Sequence, residues 1–404
     1  MVGEDRVIMS VKELRRGPVI RHAMEKTLTQ VEAGALVGLT ARHVRRLIQR
    51  VRQEGDRGLA HRGRGKPSNR RIAAPLKTKG LKLYAQPYGD FGPTLAAEKL
   101  AERHGITLSD ETLRLWLRAA GVAHFQRRKR PHRSRRERKP HVGELVQRDG
   151  SHQDWLEGRG PHGVLMAYSD DASSRVSARC YEYEGTIPAM DSFQRYVTRS
   201  GIPLAVYADK HSTYRSPAEP TLEASRAGTA PQSQCGRALG ELGVALIPAH
   251  SPQAKGRVER LFGTFQDRLI KEMRRAGGAT LDEANRFLEN YLPLYNQRLT
   301  VQPAQATDLH RSRPAGCALG RILCIKTTRC LRKDFTVAHQ GRLYQIHDTL
   351  RATHVLVEER VEGTMRLTHK GRALASHAIT SRPVKAAAVK PVPPPRRPVT
   401  PRPD

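Results

Sequence analysis

Apolar residues recur at helical spacing in the first third of the chain and at strand spacing in its middle. Residues 28–53 predict two short amphipathic helices about a turn. Thr29 is placed to cap the first, whose apolar positions are Val31, Ala35 and Leu36. Gly38 supplies the turn. Thr40 caps the second, along which Val44, Leu47, Ile48 and Val51 share one face. Its other face holds Arg42, His43, Arg45, Arg46, Gln49 and Arg50. Helix, glycine turn and basic helix make the helix-turn-helix pattern, with the second helix suited to a DNA major groove. One such domain is expected over 15–60 and a second over 72–122. The second combines a helix at 94–103 (Leu95, Ala96, Leu100), a turn at His104 and Gly105, and a helix behind Ser109 carrying Leu113, Leu115, Trp116 and Leu117. Trp116 reads as core. Residues 57–71, rich in Gly, Arg and Ser, read as a flexible linker.

The pattern changes beyond residue 142. Runs at 144–149, 163–169 and 174–183 predict three strands. Residues 188–200 predict a helix with Met190, Phe193, Tyr196 and Val197 on one face. Strands at 204–208 and 244–247 follow, then a long helix over 252–275. That order predicts a mixed α/β core over 142–300. Its last helix, 281–296, offers Phe287, Leu288, Tyr291, Leu292 and Tyr295. Five short strand-like runs over 318–380, with Gly341 and Gly363 at turns, predict a small five-stranded β-barrel. Proline and arginine repeat over 383–404 without apolar periodicity, which predicts disorder. The fold class is multidomain, α and α/β.

Charge then narrows the partner. The 404 residues carry 71 Lys+Arg against 39 Asp+Glu, a net charge of +32. Such a field favours a polyanion, here double-stranded DNA. The basic linker at 123–141, with Arg127, Arg128, Lys129 and Arg130, reads as a strap along DNA backbone, mobile without it. No apolar run approaches the roughly 20 residues that span a bilayer. No signal-peptide pattern stands at the N-terminus, so no membrane role is expected and a cytoplasmic location is. The five cysteines lack CxxC spacing, which argues for a reducing compartment and against a disulfide framework or zinc finger. Cys324 and Cys330 with His339 and His347 fit no zinc template.

Three carboxylates remain. Asp149 is expected to end the first strand, Asp209 the fourth, and Glu259 to lie early in the long helix. If the two strands are neighbours, the aspartates meet at one sheet edge and Glu259 points back at them. Hard oxygen ligands of this kind suit two Mg²⁺ ions, with Mn²⁺ as a substitute. Asp154 is the nearest rival to Asp149. Asp170 and Asp171 read as surface turn residues, and Glu241 and Asp267 as solvated helix faces.

The phrases Gln147-Arg148-Asp149-Gly150-Ser151, Val206-Tyr207-Ala208-Asp209-Lys210 and the run from His250 through Glu259 to Arg260 resemble the catalytic core of retroviral integrases and bacterial insertion-sequence transposases. The paired helix-turn-helix pattern and the long middle gap are most similar to ISNCY-type transposases. The resemblance implies an RNase H-like core and a DDE site of Asp149, Asp209 and Glu259. It also implies Mg²⁺-dependent DNA cleavage and strand transfer at insertion-sequence ends, by a homodimer or larger assembly on DNA. Asp209 and Glu259 lie about 50 residues apart, further than in many relatives, and the polar segment 212–236 reads as an inserted loop. Lys255 and Arg257 are placed for DNA phosphates, as are Lys210 and Arg260. The other readings are a catalytically silent DNA-binding regulator and an RNase H-like nuclease acting on RNA or hybrids. A-form grooves do not admit helix-turn-helix units well, which weighs against RNA.

Overall fold

The computed structural model describes residues 8–66, 71–122, 136–209, 232–249, 256–314 and 318–381. Contacts divide the chain into two compact units. One comprises Met1–Gly89, Leu100–Leu108 and Thr112–Gly121, the other Asp90–Lys99, Ser109–Glu111 and Val122–Asp404.

The first unit opens with α1 (Val11–Met24), earlier than the expected domain start. Ser10 and Glu13 form a capping box there, a signal present in the sequence as Ser-x-x-Glu. Thr29 and Glu32 repeat the device at α2 (Gln30–Val37). Gly38 ends α2 in the left-handed region at φ 67°, and Thr40 accepts from His43 N–H to start α3 (Ala41–Glu54). Ile20, Ala23, Ala33, Val44, Leu47, Ile48 and Leu59 form the core. Two expectations need correction. On α2 the buried residues are Ala33 and Gly34, while Val31 and Leu36 stand 71% and 66% exposed. The Leu39 carbonyl approaches α2 so closely that a Cβ on Gly34 would lie 2.5 Å from its oxygen, so only small residues fit this face. The supposed linker begins as a 3-10 turn, Gly55–Leu59, that buries Leu59. Its residues 67–70 lie outside the described part.

The chain continues through α4 (Ala74–Ala85), α5 (Pro93–His104) and α6 (Asp110–Ala119). Gly105, at φ 64°, closes α5, where Ile106 N–H reaches the Leu100 carbonyl. Trp116 is half-buried beside Gly80 of α4.

The second unit is built on a five-stranded sheet of order β3-β2-β1-β4-β5. Its strands are β1 (Val146–Gln153), β2 (Gly163–Asp170), β3 (Val176–Tyr181), β4 (Ala205–Ala208) and β5 (Ala245–Pro248). β1 to β3 pair antiparallel, and β4 and β5 join parallel to β1. This order agrees with the expected mixed α/β core. Strand alternation gives each face its own partners. Val146, Met166, Tyr168, Val206 and Ala208 pack with α7 (Thr186–Ser200) and α8 (Gln234–Glu241). Leu165, Ala167, Val176 and Cys180 pack with α9 (Gly256–Arg275) and α10 (Leu281–Leu299). The first turns of α5 belong to this unit as well. Glu98 there takes a two-pronged bond from Arg268 of α9, at 2.7 and 2.8 Å.

Beyond α11 (Ala318–Ile322) the described strands form two sheets, and no closed barrel is found among them. One runs β11-β10-β9-β6 and the other β12-β8-β7. The strands are β6 (Cys324–Cys330), β7 (Thr336–His339), β8 (Arg342–Ile346), β9 (His354–Arg360), β10 (Met365–His369), β11 (Arg372–Leu374) and β12 (Ser376–Ile379). Val337, Ile346, Val355, Val357 and Leu367, drawn from both sheets, share one core. Alternation along a strand does not say which strand will be its neighbour, so the pattern could not separate two sheets from one closed sheet. The proposed disordered tail, 383–404, lies outside the described residues. No helix among the described residues is long and apolar enough to cross a membrane.

Candidate active site and DNA-binding face

Asp149 sits within β1, opposite Ala167 of β2, and not at the strand's end as expected. Four more residues extend β1 to Gln153. Asp209 directly follows β4. Val146 pairs with Val206 and Gln147 with Tyr207, so the same offset sets Asp149 level with Asp209 on the neighbouring strand. Val206 and Ala208 face α7 and α8, as does Val146. Alternation therefore turns Asp149 and Asp209 to the other face, where α9 lies. Glu259 stands in the first turn of α9. Asp149 is half-buried, and Asp209 and Glu259 are exposed. Among the described residues no three Asp, Glu, His or Cys side chains stand close enough together to hold a metal ion. The strand alternation thus puts Asp149 and Asp209 on one face of the sheet, and α9, which carries Glu259, packs on that face.

The rivals are placed elsewhere. Asp154 accepts N–H bonds from Leu156 and Gly158 and shapes the turn after β1. Glu241 pairs with Arg237 and Lys326, and Asp267 with Lys271. Asp170 and Asp171 are a correction, since both are buried and neither is a surface residue. Asp170 accepts from Gly143 N–H and from the N–H and hydroxyl of Ser173. Asp171 is fully buried and accepts from Arg136, from Lys139 N–H at 2.9 Å, from Gln147 Nε2 at 2.8 Å and from Arg257 at 2.7 Å. Arg136, Gln147 and Arg257 all meet Oδ1 and the Lys139 N–H meets Oδ2, so both carboxylate oxygens are bonded. Arg257, expected to face DNA, thus directs its guanidinium to Asp171 with only 12% of its side chain exposed. The signal for Asp171 was weak in sequence: two aspartates after an apolar strand resemble any polar turn.

Gln147 completes this arrangement. It lies two residues before Asp149, on the same face of β1, and its Oε1 accepts from Val258 N–H at 3.3 Å. Val258 belongs to the first turn of α9, where helix N–H groups lack partners of their own. Arg138 ties the end of the basic linker to the turn after β2, donating to the Asp171 and Ala172 carbonyls and to Ser174 Oγ. Lys210, His250, Lys255, Arg127, Arg128, Lys129 and Arg130 lie outside the described residues, as does most of the segment 212–236.

In the first unit, α3 presents Arg42, His43, Arg45, Arg46 and Gln49 to solvent. Arg45 also donates to Gln30 of α2 at 3.2 Å. Arg50 turns inward and donates to the Ala60 carbonyl at 2.5 Å, bracing the 3-10 turn and not facing out with the others.

The model of a "Helix-turn-helix domain" family matches residues 15–68. A transposase predicted in Sinorhizobium fredii, y4bF, is 35% identical over 91% of this chain and 81% of its own length. The chain belongs to the transposase family. The transposase for insertion sequence IS1202 of Streptococcus pneumoniae is 28% identical to it over 71% of this chain and 68% of its own. Among solved structures, the HTLV-2 integrase catalytic core domain in complex with magnesium is 20% identical. It covers 41% of this transposase and 93% of its own chain, with a TM-score of 0.28. A simian T-cell lymphotropic virus intasome chain is 16% identical over 76% of this transposase and all of its own chain, with a TM-score of 0.32. At such scores the description of the core rests on this transposase's own strand order.

Proposed function

We propose that this transposase cleaves and joins DNA at insertion-sequence ends with Asp149, Asp209 and Glu259 as a DDE site. The observation that supports the reading is the parallel pairing of Val146 with Val206 and Gln147 with Tyr207, a register that, carried on by two residues, would bring Asp149 level with Asp209. Three carboxylates, with no thiol or imidazole among them, suit a hard divalent cation such as Mg²⁺, or Mn²⁺ in its place. Asp149 and Asp209 would hold metal in common and Glu259 a second ion. Bound metal supplies an acidified water or 3′-hydroxyl and stabilises the leaving oxygen of an in-line displacement. The chain's own part is to present the carboxylates from two strands and one helix, and to bring DNA to them. α3 reads the end sequence through Arg42, His43, Arg45, Arg46 and Gln49, and the basic linker follows the phosphates. Pairing two ends calls for a homodimer or larger assembly on DNA.

The test uses labelled insertion-sequence-end duplex and Mg²⁺. Asp149→Asn is expected to abolish nicking and strand transfer while end binding stays within about twofold. Strand transfer by that variant at the parent rate overturns the reading, and end binding without cleavage by the parent favours the silent regulator.

A further inference from the structure

We infer that Asp171 is a positioning residue that sets the spacing between Asp149 and Glu259, acting through Gln147 and Arg257. The inference rests on the proposed catalytic role of those two carboxylates. Asp171 follows β2 directly, and its N–H is held by the Leu145 carbonyl at 2.9 Å, at the entry to β1. Its carboxylate grips one residue on each of the two elements that carry Asp149 and Glu259. Gln147 stands two residues before Asp149, and Arg257 two residues before Glu259. Gln147 also touches α9 directly, since its Oε1 accepts from Val258 N–H at 3.3 Å. A closed circuit results, in which Asp171, Gln147, Val258 and Arg257 tie the start of β1 to the first turn of α9.

The circuit has little slack. Asp171 is fully buried, and the Arg257 guanidinium also donates to the Arg136 carbonyl at 3.0 Å. Loss of any arm leaves a buried charge or amide short of a partner, and α9 must then shift or tilt to recover one. A movement of the first turn carries Glu259 with it, whereas Asp149 stays in the sheet. Partners that orient metal ligands commonly change metal affinity or activity 10- to 100-fold when removed, roughly the size expected here. Arg136 meets the same carboxylate.

The full-length transposase tests this with Asp171→Asn, Arg257→Ala, Arg257→Lys and Gln147→Ala, beside Asp149→Asn. Three quantities are read: Mn²⁺ affinity from the electron paramagnetic resonance of free Mn²⁺, kcat and KM for end nicking, and the salt dependence of end binding. Arg257→Ala and Asp171→Asn are expected to weaken Mn²⁺ binding and lower kcat by roughly 10- to 100-fold, with KM within about twofold. Arg257→Lys keeps the charge and is expected to recover part of both. A direct phosphate contact by Arg257 would behave differently, since its loss raises KM and lowers the salt slope by about one. That result overturns the inference. So does Mn²⁺ affinity at the parent level in both Arg257→Ala and Asp171→Asn while Asp149→Asn is inactive. If Asp171→Asn does not fold, Arg257→Ala and Gln147→Ala decide the outcome by the same criteria. Full activity in Asp149→Asn instead removes the parent reading and is told apart by that variant alone.

Discussion

Replacing Gly34 with alanine sets two physical effects against each other. Gly34 lies inside α2, where alanine is favoured over glycine by about 1 kcal/mol through helix propensity. The structure predicts the opposite sign. A Cβ there would sit 2.5 Å from the Leu39 carbonyl oxygen, about 0.9 Å inside ordinary contact, and 3.5 Å from the Ala41 nitrogen. All of these are backbone atoms, so no side chain can rotate away. Leu39 N–H also donates to the Gly34 carbonyl at 2.8 Å, which fixes the turn on the spot that the methyl needs. Overpacking of this kind costs about 1–3 kcal/mol. With the propensity gain set against it, the net expectation is a loss of up to about 2 kcal/mol in the helix-turn-helix unit, which changes the folded ratio by up to about 30-fold. Hydrogen exchange resolved over residues 28–54 is the assay, because it reads this unit separately from the core. Amides of α2 and α3 are expected to exchange faster, by up to about 30-fold, and DNA-end affinity to fall as α3 is displaced. Slower exchange in Gly34→Ala would refute the packing account and leave propensity in charge.

Three further outcomes are expected. The Glu13 carboxyl is held down to about 2 by the Ser10 N–H above all, then by the Arg64 guanidinium and the His61 N–H. Its folded value lies below its ordinary 4.5, so its contribution is complete above that pH and is lost as pH falls towards 2. Exchange in α1 should accelerate through that window, and Glu13→Gln should remove the dependence. Burial pushes the Cys235 thiol up to about 11 and the Cys180 thiol up to about 12, while Cys330 is exposed. Iodoacetamide at pH 8 should therefore label Cys330 and leave Cys180 and Cys235 unmodified until the protein unfolds, and rapid labelling of Cys235 in the folded chain contradicts that placement. Arg46 is exposed on α3. Arg46→Ala should weaken end binding, and either a reduced salt slope or a relaxed preference at one base pair tells whether it meets a phosphate or a base.

Local chemistry carried much of this protein. The periodicity of Val44, Leu47 and Ile48, the caps at Thr29 and Thr40, and the turn at Gly38 depend on neighbours within a few residues, so the helix-turn-helix unit was legible. The order of strands and helices in the core was legible for the same reason. The direction of α2 was not, because the close approach of Leu39 to Gly34 overrides the apolar pattern of Val31 and Leu36. Nor was the division of seven C-terminal strands into two sheets, since pairing is chosen between segments far apart in sequence. Only the folded sheet decided that β4 lies beside β1 in a register that levels Asp209 with Asp149. Only burial turned Asp171 from an ordinary turn residue into the carboxylate that joins β1 to α9, because a charge removed from water must find its partners wherever the fold brings them.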